Sequence, residues 1–147
     1  HGLNLIADDD PMLLMRHGPY LVEINLLSHR LLESVSEASA HPLPEYLRTG
    51  IPVALSTDDR GMWESTMTDE FYVAATEFNL SWAEIKTLGR NSLEHAFVDE
   101  EIKERLLREY NERITRFERQ MKNRGTAKLG PMPETRGFVC NRYGLCK

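Results

Sequence analysis

Residues 51–59 read IPVALSTDD. From Ile51 to Leu55 the stretch is apolar with no polar alternation, the pattern of a strand buried on both faces in a parallel sheet covered by helices. Two aspartates, Asp58 and Asp59, close it. Side by side they repel, and folding alone does not require them there. In parallel α/β folds the functional groups gather at the C-terminal ends of strands. Two readings stand on spacing alone. One aspartate caps the next turn while the other is solvated, or a metal ion or cationic substrate group neutralises both. One or two carboxylates do not by themselves make a zinc site.

Upstream, Asp10-Pro11 reads as an N-cap with Pro at the first helical position, and PMLLMRHG (11–18) as a short helix stopped by Gly18 and Pro19. YLVEINLL (20–27) is apolar, partly β-branched and short, which predicts a strand. RLLESVSEASAH (30–41) reads as a loop with a little helix, and in HPLPEYLRTG (41–50) Pro44 opens a short helix that Gly50 closes. Downstream of the aspartates, Arg60, Gly61 and Met62 read as a loop, and Thr68 is expected to cap a helix over 69–80. Ser81-Trp82-Ala83-Glu84 is a capping box opening a helix to about His95. The longest helix follows Asp99, with Ile102, Leu106, Tyr110, Ile114, Phe117 and Met121 at three- and four-residue steps and Gly125 at its end. From Thr126 no periodicity remains, so 126–147 reads as an irregular tail or clamp beside an ordered 1–125.

The order strand, helix, strand, then three helices points to a parallel α/β arrangement. Two buried strands cannot cover each other's faces and edges, so something further is expected upstream. The 147 residues suit one domain. A net charge of −5 argues against nucleic-acid or membrane-surface binding, and no apolar run nears the roughly 20 residues of a membrane span. The start, HGLNLIADDD, has no basic flank and is not a signal peptide. It also lacks an initiator methionine, as a processed, truncated or partial chain would. Cys140 and Cys146 fit either a disulfide, hence an oxidising compartment, or two free thiols, and a zinc knuckle lacks its other ligands.

HPLPEYLRTGIPVALSTDD (41–59), followed by TDEFYVAATEFNLSWAEIKTLGRNSLEHAF (68–97), resembles the C-terminal part of the adenosine deaminase family. The His-Pro before a short helix, Gly-Ile-Pro-Val, Ser-Thr-Asp-Asp and Arg-Asn-Ser carry the likeness together, from His1 to about Phe97. The resemblance implies a zinc-dependent hydrolase on a (β/α)8 barrel, entered here just after the sixth strand. It implies that Asp58 is the zinc-ligating aspartate at the end of the eighth strand, and that Asp59 hydrogen-bonds a ring nitrogen of the purine. His1-Gly2 matches the end of a Gly-His-Gly segment, whose histidine contacts the zinc-bound hydroxide and steadies transition-state charge. Residues 20–30 would be the seventh strand, which in the family ends in Ser-Asn; here the pair is Ser28-His29.

By the same resemblance, zinc lowers the pKa of bound water, the hydroxide attacks the amino-bearing purine carbon, a glutamate shuttles the proton and ammonia leaves. The family's His-x-His pair, a further zinc histidine and the catalytic glutamate have no counterpart in this sequence. Neither His17, His29, His41 nor His95 has the spacing to replace them. His17 and His41 read as surface or capping residues and His95 as a boundary residue. Arg60, where relatives carry proline, reads as a solvated cation, and Trp63 as a packed residue or a purine wall. An AMP-deaminase-like relative would need a basic phosphate cluster, which these motifs lack. The expectation is thus the last third of an adenosine-deaminating barrel, inert alone, whose partners are the upstream barrel and a purine nucleoside. The rival is an assembly module packing through its long helix.

Overall fold

The computed structural model describes residues 1–124. The expected tail, with Gly125 and the two cysteines, lies outside the described residues. Helices dominate. Helix α1 (Asp9–His17) is followed by strand β1 (Val22–Ile24), α2 (Leu26–Leu31), α3 (Leu43–Thr49), strand β2 (Val53–Leu55), α4 (Arg60–Trp63), α5 (Met67–Glu77), α6 (Trp82–Glu94) and α7 (Glu100–Arg124). Short 3-10 turns span Leu5–Ala7 and Ala38–Ala40.

The two strands pair in parallel with Val22 opposite Val53 and Ile24 opposite Leu55. All three residues of β2 are buried, as the unbroken apolar run predicts, whereas in β1 Glu23 faces out between buried Val22 and Ile24. The β1 run was expected to reach Leu27. It stops at Ile24 because the backbone N–H groups of Leu26 and Leu27 donate to the Glu70 carboxylate, at 2.8 and 3.3 Å, and start α2 instead.

Around the sheet, Leu27, Leu43, Tyr46, Val73, Ala74 and Leu88 close a core that draws on α2, α3, α5 and α6. Asn91, the middle residue of Arg-Asn-Ser, is buried and donates from its side-chain amide to the Val53 carbonyl at 2.8 Å. A polar motif on α6 thereby satisfies a backbone acceptor of the innermost strand.

Caps decide where most helices begin and end. Ser81 and Glu84 form the expected reciprocal box. At α5 the cap is Thr66, not Thr68. Thr66 and Asp69 satisfy each other's backbone N–H groups, which leaves Thr68 inside the first turn. That helix ends at Glu77 rather than near Leu80, because Phe78 leaves the helical region and Asn79 turns left-handed at φ +49°. At α1 the Asp8 carboxylate accepts from the Asp10 N–H at 3.0 Å, so the cap lies two residues before the expected one. Gly50 closes α3 at φ +84°, a conformation in which a Cβ is strained. The residues after Asp59, expected as loop, make the single turn α4.

Helix α7 lies along α6. Trp82 Nε1 and Lys86 Nζ both donate to Glu118 Oε1 at 2.7 Å, the Trp82 and Phe117 rings sit 5.5 Å apart, and Tyr110 donates to the Lys86 carbonyl at 2.7 Å.

Candidate functional site

Strand β2 delivers its polar end, Ser56 to Asp59, to one end of the small sheet, where the β1–α2 junction also emerges. Ser56 N–H extends the ladder to the Ile24 carbonyl at 2.9 Å. The chain then leaves the strand sharply, with Asp58 left-handed at φ +52°. Aspartate tolerates that region better than most side chains, though it remains less favoured than ordinary backbone. Such a kink is held in place by its surroundings. Here Ser28 Oγ donates to Asp58 Oδ2 at 2.8 Å, and His1 Nε2 lies 3.8 Å from the same oxygen.

His1 is tethered in turn. Gly2 adopts φ +71°, and a Cβ there would overlap the Val22 side chain, so only glycine lets the chain cross the strand so closely. Buried Tyr46 donates to the Gly2 carbonyl at 2.6 Å. Two of the three residues singled out by sequence, His1 and Asp58, are therefore brought together. The third, Asp59, follows Asp58 on the exposed side. Its backbone carbonyl accepts from Met62 and Trp63 at 2.9 and 3.1 Å, while its carboxylate makes no cap and no ion pair among the described residues.

Behind this group lies a histidine pair that sequence reasoning set aside. His29 and His41 are 2% and 6% exposed. Their ring centres lie 5.2 Å apart with planes inclined by 29°, and His29 Nδ1 stands 2.9 Å from His41 Nε2. His41 does cap α3, since its Nδ1 accepts from the Leu43 N–H at 3.1 Å, but it is a core residue and not a surface one. His17 is exposed at the end of α1 and His95 caps the end of α6, both as expected. An open cleft of about 640 Å3 runs past His1, Asn4, Ser28, His29 and Ser34. Trp63 does not line it.

Burial lowers the pKa of both histidines from 6.5 to about 4. For His29 the Asp58 charge opposes the effect; for His41 the neighbouring His29 adds to it. The folded state thus holds fewer protons than the unfolded chain between pH 4 and 6.5. The stability from a neutral pair is present above about 6.5 and lost as pH falls toward 4. Glu70, buried and pushed up to about 7 chiefly by desolvation, slopes the other way between 4.5 and 7. Two groups outweigh one, so the thermal midpoint is expected to drop on acidification from pH 6.5 to 4.5. Replacing His41 by Gln should flatten that drop. A wild-type midpoint that holds or rises over this interval contradicts the account.

His29, His41 and Glu70 are the buried polar groups behind this end of the sheet that the sequence did not single out. For His29 one signal existed, the departure from Ser-Asn. For Glu70 there was none, since an acid on an amphipathic helix reads as a solvated residue.

A family model described as adenosine deaminase matches residues 1–113. Adenosine deaminase of Plasmodium gallinaceum is 31% identical over 110 residues, covering 75% of this chain and 30% of that protein. Among solved structures, adenine deaminase from Arthrobacter aurescens aligns with TM-score 0.73 at 28% identity, over 78% of this chain and 35% of that one. Arabidopsis N6-mAMP deaminase aligns at TM-score 0.64 and 25% identity, over 71% and 31%. The chain spans about a third of the length of each of these relatives.

Proposed function

The chain belongs to the adenosine deaminase family, and on that premise we propose that it is the C-terminal portion of a zinc-dependent hydrolase that converts adenosine, or a close purine nucleoside, to the 6-oxo product and ammonia. In this reading β1 and β2 are the seventh and eighth strands of a (β/α)8 barrel, residues 1–125 belong to that barrel, and the upstream strands cover the faces that a two-stranded sheet leaves open. The curated and solved relatives carry names of deaminases acting on adenosine, adenine and N6-mAMP, all 6-aminopurines or their derivatives.

The observation that carries the proposal is the geometry at the end of β2. Asp58 is held left-handed with one carboxylate oxygen engaged by Ser28 and His1 beside it. That arrangement fixes a carboxylate at the strand terminus, where a cation is a natural counterpart. Among the described residues, no group of three or more His, Cys, Asp or Glu side chains converges to hold a metal ion. These residues alone do not fit a tetrahedral zinc. Asp58 would be one ligand, the others coming from elsewhere in the parent chain.

The family resemblance implies the parts these residues play in the reaction. Ser28 orients the Asp58 carboxylate. Asp59, whose carboxyl group is exposed and unengaged, hydrogen-bonds a ring nitrogen of the purine, as the family resemblance implies, and keeps the base in register. His1, half-exposed beside Asp58, faces the oxygen nucleophile and steadies negative charge as the tetrahedral centre forms. Tyr110 and Phe117 from the stripe of α7 contact α6, which suits a helix covering a barrel wall.

The test is an ammonia-release assay on adenosine with two proteins, the 147-residue chain and the full-length product of the reading frame that contains it. Turnover by the zinc-loaded full-length protein and none by the segment is the expected result. A full-length protein that releases no ammonia from any 6-aminopurine nucleoside, or a segment that turns over alone, overturns the proposal.

A further inference from the structure

The histidine pair has a direction. Because His41 Nδ1 accepts from the Leu43 N–H, its ring proton must sit on Nε2. That Nε2–H donates to His29 Nδ1 at 2.9 Å, which in turn places the proton of His29 on its own Nε2. This last N–H has no partner among the described residues although the atom is buried. A buried donor left unpaired carries the full loss of its hydration, and native folds seldom retain one without a use.

The surroundings indicate the use. His29 lines the cleft together with His1, Asn4, Ser28 and Ser34. Its ring centre lies 5.3 Å from that of His1, next to the Ser28–Asp58 pair. The cleft wall offers imidazole, amide and hydroxyl groups and no lysine or arginine. A neutral oxygen acceptor suits it, and a phosphate would meet no counter-charge from these residues.

We propose that His29 is a substrate-binding residue whose Nε2–H, held in that tautomer by His41, donates a hydrogen bond to a neutral oxygen of the bound nucleoside. The inference rests on the deaminase reading above. It gives a reason for histidine at a position where the family resemblance implies asparagine: an asparagine amide could meet His41 from the δ position, as His29 Nδ1 does, but its N–H does not extend to the position of Nε2.

The test uses the full-length protein, with inosine as the binding probe and adenosine as substrate. With histidines labelled by 15N, the His29 Nε2–H resonance is expected to be present in the metal-free protein and to shift when inosine is added. A His29→Phe variant keeps ring bulk and removes the donor, so inosine binding should weaken and KM for adenosine rise by about tenfold, with kcat within about threefold. His29→Gln, whose amide N–H reaches the ε position, should recover much of that loss. A His29 resonance that does not move at saturating inosine overturns the inference, and that reading stands even if His29→Phe does not fold. So does a folded His29→Phe with unchanged KM. A wild-type protein that deaminates nothing removes the premise, and the inference with it; an active wild type with an inert His29 removes the inference alone.

Discussion

Under the proposed function, Asp58→Asn in the full-length protein is expected to lower kcat/KM for adenosine on the order of a thousandfold, equivalent to about 4 kcal/mol of transition-state stabilisation. The substitution is chosen to isolate charge from shape. Asparagine, like aspartate, accepts the left-handed backbone that Asp58 adopts at φ +52°. Its amide oxygen can still accept from Ser28 Oγ, now 2.8 Å from Asp58 Oδ2. What disappears is the negative charge facing the proposed metal and the neighbouring imidazole. Loss of a residue that merely orients a metal ligand costs about 10- to 100-fold, and a direct ligand should cost more. The thermal midpoint should stay within a few degrees of wild type, because the side chain is 27% exposed and its neutral replacement leaves no buried charge unpaired. Metal content, measured on the same preparation, should fall with activity. A variant within tenfold of wild type and fully metal-loaded would falsify the assignment of Asp58.

How much of this was legible beforehand depends on the range of the interaction. The β2 strand, Gly50 as a stop and the Ser81–Glu84 box are set within a few residues, and each reads correctly from local pattern. Asp58 and His1 were named through a family likeness, and the structure puts them 3.8 Å apart. The expected extension of β1 to Leu27 failed for a long-range reason. Nothing between residues 20 and 30 shows that a carboxylate 43 residues away will take up two N–H groups and turn the chain into a helix. His41 is a similar case. Standing before Pro42, it reads as a cap, which it is, but only the folded core reveals His29 on its other ring nitrogen. Asp58 itself needed the strand pattern to locate it and Ser28, 30 residues earlier, to orient it.

The same long-range clamp yields the second large effect. Glu70 is wholly buried, and its two oxygens accept separately from the Leu26 and Leu27 N–H groups. Glu70→Leu keeps side-chain bulk and removes both acceptors. Each orphaned buried N–H costs about 1–3 kcal/mol, so a loss of roughly 2–6 kcal/mol of folding stability is expected. Denaturant unfolding of the 147-residue chain, or of the full-length protein, measures it. The loss should be larger in acid than at neutral pH. Burial raises the Glu70 pKa to about 7, with the two N–H bonds opposing and Asp69 and Asp58 adding, so the folded state binds an extra proton above the unfolded value of 4.5. What this group contributes is therefore complete below about 4.5 and declines as pH rises to 7, and the leucine variant should lack that slope. The functional consequence travels through Ser28. Without the clamp, the first turn of α2 is free to move, and Ser28 no longer holds Asp58 in place. In the full-length protein kcat/KM should then drop by about 10- to 100-fold while adenosine still binds, as for the loss of a residue that orients a ligand. A Glu70→Leu protein as stable and as active as wild type would mean that the start of α2 is held by packing alone, and that the carboxylate in the core is incidental to the site.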